Sequence, residues 1–337
     1  MRKTIKYFFL AVFFAVIFLI INVSFSPKSE LEKRIIAAMQ EAGLTNVEVT
    51  LDCISTSGIV LSNIRFKKED MTISAEQLQL DATSLPYREI IKGEYDNLAG
   101  KWHVLGLNIK GVAYPFPPVS GDGELSFLAG KPAIKGELKS ADEKVATVFE
   151  VNRFEAKILK MQVPWEGAKV FTSEPVSFSF IDPKPTYLVL RVSNLELDRL
   201  LKLITSDKAS GTGVIGGSAP VVFAPDGGFM PGSSHFETKA EGQLHISPDV
   251  LAGDSQQMQM ARDALTNFTY SKLVLTSDTD PKGKLSILLA VSGSNPNFQN
   301  GRAVNLNVNL TGDVLELLEQ TLLPSADPKK FLERNNE

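Results

Sequence analysis

The sequence predicts a mainly β protein, built from antiparallel strands behind a single apolar N-terminal segment. Three observations predict it. From Val47 onward, short segments alternate apolar and polar residues with a period of two, the mark of strands with one dry and one wet face. Turn-forming residues separate these segments at hairpin intervals: Gly58, then residues 121–123, 130–132, 183–185, 226–228 and 280–283. Long crossover helices are missing between them, which argues against a parallel α/β sheet.

The chain opens on residues 7–25, YFFLAVFFAVIFLIINVSF, in which only Asn22 and Ser24 are polar. As a helix this run is about 28 Å long, close to the hydrocarbon thickness of a bilayer. Arg2, Lys3 and Lys6 precede it. That asymmetry predicts a cytoplasmic N-terminus and export of everything that follows. Ser24 and Ser26 also have the spacing of a signal-peptide cleavage site, but the apolar core exceeds the usual h-region, so a retained single-pass anchor over residues 1–26 is expected.

Residues 27–46 carry a predicted juxtamembrane helix. Ser29 and Glu32 have capping-box spacing, Gly43 suits the left-handed position after the helix, and Leu31, Ile35, Met39 and Ala42 form one apolar stripe. Roughly sixteen strands follow, with little helical material among them. One short amphipathic segment covers residues 195–204, ahead of a glycine- and serine-rich stretch at 206–218. Ser247 and Pro248 open a second segment that reaches as far as Leu265, with a break at Gly253. Asp313 caps a third, leucine-rich segment before a polar tail. The expected organisation is therefore 1–26 tip and anchor, 27–46 helix, 47–194 N-terminal β region, 195–325 C-terminal β domain and 326–337 tail.

Composition removes several function classes. The net charge is −4, and about −7 without the three anchor cations, with no basic patch, so nucleic acid is not an expected partner. Cys53 is the sole cysteine, so an intrachain disulfide is impossible. The three histidines, His103, His235 and His245, lack metal-ligand spacing, and no nucleophile elbow, phosphate loop or dinucleotide fingerprint occurs. The glycine-rich run at 210–218 lacks the lysine a phosphate loop needs and reads as a flexible strand entry with backbone bends. No enzyme activity, metal or cofactor is expected.

The strongest local signal lies in the last 70 residues. A strand ends in the turn at 280–283, the return strand places Leu285, Ile287, Leu289 and Val291 on one face, and a third strand alternates Val304, Leu306, Val308 and Leu310 with Asn305, Asn307 and Asn309. Asparagine is a poor strand former, so the row reads as a solvent-facing amide ladder or as a strand that pairs with a partner. Together with Asn267, Phe268 and Tyr270, the turn Gly293, Ser294, Asn295, Pro296, and the triplet Asn300, Gly301, Arg302, this pattern resembles the C-terminal domain of the YdbH family. That family, once labelled a dicarboxylate-transport domain, belongs with the AsmA-like, bridge-like proteins of Gram-negative envelopes. Residues 195–223 look like the family too, and the 84–112 region is similar, more loosely, to an AsmA-type first repeat.

The resemblance implies an elongated, twisted antiparallel β-sheet groove, anchored in the inner membrane with its bulk in the periplasm, that moves phospholipid between inner and outer membranes. It also implies that a small outer-membrane lipoprotein meets the C-terminal end. Alternation then nominates the groove lining: Leu78, Leu80, Leu105, Leu107, Ile109, Phe178, Phe180, Leu285, Ile287, Leu289, Val304, Leu306, Val308 and Leu310. The competing reading of these residues is the filled core of a closed β-sandwich. Residues 304–310 are the candidate for strand addition by a partner. Sixteen strands at about 4.8 Å give about 77 Å of sheet, short for a periplasm-spanning path. An anchored β scaffold without a conduit and a lipopolysaccharide-bridge subunit are the alternative functions.

Overall fold

A computed structural model describes residues 28–310, apart from 56–57, 69–70, 83–98, 112–116, 129–130, 206, 225–228, 251–255 and 280–284. The expected anchor, the 280–283 turn, the Asp313 helix and the polar tail lie outside the described residues. No helix among the described residues is long and apolar enough to cross a membrane.

The described chain is mainly β, with nineteen strands and few helices. All strand pairings are antiparallel, and the sheet does not close: β1 (Thr45–Ser55) pairs only with β2 (Gly58–Lys68), and β19 (Val304–Leu310) only with β18 (Leu285–Ser294), among the described residues. Contacts divide the chain into two compact units. The first comprises residues 28–161 and 175–186, the second 162–174, 187–224 and 229–310.

The first unit begins with helix α1 (Lys28–Glu41). Its end matches the expectation from Gly43 closely. Gly43 sits at φ +80°, its N–H bonds Gln40 O, and the Leu44 N–H bonds Met39 O, which together make a Schellman turn. Leu44 and Met39 are both buried, supplying the hydrophobic contact that accompanies this motif. The predicted stripe holds, with Leu31, Ile35 and Met39 buried. Glu32 differs from its expected role as a capping residue: α1 starts ahead of Ser29, and the Glu32 carboxylate accepts a hydrogen bond from the Leu51 backbone N–H at 2.9 Å.

The strands then form a meander. β2 pairs β3 (Met71–Ala82), followed by β4 (Ala99–Lys110), β5 (Val119–Leu128), β6 (Lys131–Ser140) and β7 (Ala146–Asn152), each bonded to its predecessor. β8 (Glu155–Trp165) pairs with β10 (Val176–Ser179) in this unit. Gly121 and Gly123, read from sequence as a turn, lie inside β5 instead.

The second unit carries the end of β8, then β9 (Ala168–Thr172), β11 (Thr186–Glu196), helix α2 (Leu197–Thr205) and β12 (Ala209–Gly211). β13 (Val214–Phe223), β14 (Phe229–Pro231), β15 (Ser234–Thr238) and β16 (Gly242–Ile246) precede helix α3 (Gln256–Leu265). The long β17 (Phe268–Thr279) takes β16 against its first residues and β15 against its later ones, with β18 paired along it. The glycine- and serine-rich stretch after α2 is therefore ordered into two strands rather than left as a flexible entry.

Candidate functional site

Cross-strand register shows what the alternation builds in the first unit. Leu51, Leu61, Leu78 and Val104 stand opposite one another in successive strands and continue through Gly121 to Leu138. A second row runs Ile59, Leu80, Trp102, Gly123, Gly136, Phe149. A third runs Leu125, Ile134, Val151. Because side chains alternate across a sheet, these rows make one continuous apolar face.

Trp102 dominates that face. At Gly123 a Cβ would stand 2.7 Å from the indole, and at Gly136 only 2.2 Å, so both positions must be glycine for the ring to lie flat over β5 and β6. Its Nε1 donates to Lys135 O at 3.2 Å, and its ring reaches Phe149 on β7, with centroids 6.0 Å apart. The face is covered at its β1 end by α1. Farther along, Leu80, Val104, Ile109, Val119, Ile134 and Phe180 are only partly buried.

The predicted lining residues distribute unevenly. Leu78 and Leu107 are buried, and Leu80, Ile109 and Phe180 pack on the same cluster from partly buried positions. Phe178 is half-buried on β10. Leu105 falls elsewhere: it is 49% exposed and stands opposite Gln77, on the outer face. The cause is a bulge in β4, where Gly106 adopts φ +64° and the pairing to β5 skips from Val104 to Leu107. The bulge adds a residue, so strict alternation read through it assigns Leu105 to the wrong side. Trp102, Val104, Leu125, Ile134 and Phe149, which the same alternation in neighbouring segments could have nominated, belong to the face.

In the second unit Leu289 stands opposite both Leu275 and Val308, and Leu306 opposite Val291, with Ile287 two residues before Leu289 on β18. Leu285 opens β18 opposite Thr279, and Leu310 ends β19 opposite Ile287. Here the apolar face is filled by the protein itself. Leu289 has no exposed surface, and neither do Leu197 and Leu201 of α2, Leu265 of α3, Ile215 or Leu273, all in one cluster. Val304 and Leu306 are partly buried against that cluster. Asn305 and Asn307 face solvent.

Polar locks hold this filling in place. The Tyr270 hydroxyl donates to Thr212 O at 2.5 Å, and a Cβ at Gly213 or Gly242 would stand 2.4 Å from the hydroxyl oxygen, so Gly213 of the glycine-rich run and Gly242 of β16 together make a slot for the phenol. Gly213 also needs its φ of +113°. Burial raises the Tyr270 pKa above its ordinary value, keeping it a donor. Asn295 is buried: its amide donates to Asp263 O and Ala264 O at the end of α3, at 3.1 and 3.0 Å, while its oxygen accepts from the Asn297 N–H at 2.9 Å. One side chain thus satisfies two helix-end carbonyls and shapes the turn before β19.

Among the described residues no three histidine, cysteine or carboxylate side chains gather to hold a metal ion. What the geometry presents is an antiparallel sheet whose apolar face is covered by α1 at its β1 end and carries partly buried positions farther along. Residues 170–335 match the model of the YdbH-like family, described as intermembrane phospholipid transport protein YdbH, and over these residues the chain is similar to that family. Neither the curated proteins nor the solved structures contain a match to the chain.

Truncating the tryptophan tests the face as a structural unit. Trp102→Ala should destabilise the protein by about 3–5 kcal/mol, because a large buried ring leaves a cavity over two glycines. Urea unfolding followed by far-UV circular dichroism checks this, and an unchanged midpoint would mean the ring is not packed as described.

Proposed function

We propose that this protein shields phospholipid acyl chains on its apolar sheet face for movement between the inner and outer membranes. It is held in the inner membrane by residues 7–25, with its bulk in the periplasm. The observation that carries the reading is the unbroken series of cross-strand apolar rows in a chain whose other half matches a phospholipid-transport family. Physical chemistry makes the same demand. Each methylene exposed to water costs about 0.8 kcal/mol, so a sixteen-carbon chain costs on the order of 10 kcal/mol, and a face of Leu, Val, Ile and Phe removes that cost without a chemical step. The headgroup stays in solvent.

Within this reading, the acyl chain rides on the partly buried positions of the first unit, Leu80, Val104, Ile109, Ile134 and Phe180. The fully covered positions of the second unit, Ile287, Leu289 and Val308, act as the core of a supporting module. That filled core is also the observation that favours the second reading, an anchored β scaffold of the envelope that carries no lipid. A lipopolysaccharide-bridge role would place a glycolipid on the same face.

A photoreactive residue separates these. At Ile134 in the full-length chain in cells it should yield phospholipid adducts, whereas at Leu105 on the outer face it should yield few. Equal labelling at both positions, or none at Ile134, would favour the scaffold, and a glycan-bearing adduct the lipopolysaccharide bridge.

We also infer that β19 takes a small outer-membrane lipoprotein by strand addition, since it pairs on one side only among the described residues. Leu306→Pro, which removes a ladder N–H, should abolish capture of such a partner while leaving export intact. Undiminished capture would contradict it.

A further inference from the structure

We propose that α1 is a displaceable plug over the membrane-proximal end of the apolar face, moving aside so that an acyl chain can enter. The inference rests on the conduit reading above and adds its entrance.

Four observations place the plug. First, α1 buries Leu31, Ile35 and Met39, and Ile35 is only 1% exposed. They share a cluster with Leu51, Leu61 and Ile59, the start of the very rows that continue into the partly buried positions Val104 and Leu80. The helix therefore stands where the first stretch of an acyl chain would lie. Second, its polar attachments to β1 are few and replaceable by water: Glu32 accepts from the Leu51 N–H at 2.9 Å, and Lys28 Nζ donates to Asp52 O at 3.4 Å, in an exposed position. Third, a hinge is built in. Gly43 at φ +80° ends the helix, so a change at one glycine swings α1 without disturbing the β1 pairing. Fourth, the chain between the expected anchor, ending at residue 25, and the start of α1 is two residues long. Such a tether keeps the helix beside the bilayer surface.

These features define two resting places for one apolar stripe. Docked, the stripe covers the first rows of the sheet. Displaced, it lies in the membrane interface, as an amphipathic helix with charged residues on its other face does, and Lys33 and Arg34 are available to face headgroups. The sheet face it leaves is then covered by the incoming lipid, so neither apolar surface meets water in either state. A population shift of this kind needs only a difference in affinity between the two places, which a lipid supplies by binding one state alone.

Locking the helix tests the plug. Cys53 is exposed and lies next to Asp52, whose carbonyl Lys28 reaches. Lys28→Cys can be joined to Cys53 by a short, cleavable bis-maleimide in the full chain reconstituted in phosphatidylethanolamine–phosphatidylglycerol vesicles. With a photoreactive residue at Ile134, phospholipid adducts should fall at least tenfold on locking and return on cleavage of the linker. Glu32→Ala, which loosens the docked state, should raise them and should speed exchange of the Leu51 amide. Adducts that persist in fully locked protein would overturn the plug while leaving the conduit intact. Adducts absent from the unlocked, correctly folded chain would overturn the conduit, and the plug with it.

Discussion

Each strand here must place its backbone groups in a ladder and turn alternate side chains away from water, and an antiparallel register meets both demands at once. When neighbouring strands pair Leu61 with Leu78 and Leu78 with Val104, the hydrogen bonds and the apolar row are one object. A slip of a single residue would expose the whole row, so burial fixes register as firmly as the turns do. What varies along the chain is what covers the dry face, and that cover decides its use.

The two units answer that question differently. In the first, α1 covers one end and Trp102 lies across the middle, with partly buried Leu, Val and Ile positions between them. In the second, α2 and α3 are pressed onto the strands, with Gly211 leaving room for Leu197 and Leu201, and Asn295 tying the end of α3 to the turn before β19. The residues that carry the family resemblance, Phe268, Tyr270, Asn295 and the glycines around them, are thus mostly structural: they keep the second unit's core shut. The lipid path proposed above lies instead where the cover is partial.

Strand content, the stripe of α1, the Gly43 terminus and both later helices were legible in the sequence, because period and capping are local properties. Three features were not. Leu105 sits outward because Gly106 bends the strand; the glycine in WHVLGLNIK is a local hint of a bulge, but the added residue shows only in the register to β5. Gly121 and Gly123 resemble a turn, yet Gly123 answers to a tryptophan some twenty residues earlier in the chain, and only the register across β4 and β5 joins the two. Likewise the glycines at 213 and 242 answer to the Tyr270 hydroxyl. In each case the missing information is a contact distant in sequence, to which a local pattern is blind. Whether the apolar face is filled or free is equally non-local, since Leu289 and Leu80 look alike in sequence and differ only in what lies above them.

The most direct measurement is lipid transfer between two populations of vesicles, one bearing the anchored chain and fluorescent phospholipid, the other empty acceptors. A conduit should raise the transfer rate well above the protein-free baseline. Val104→Asp, which puts a charge in the middle of one of the two six-residue rows, should return it to baseline with the fold intact. Equal rates with and without the protein, or full transfer in the folded Val104→Asp variant, would contradict a lipid path along this face.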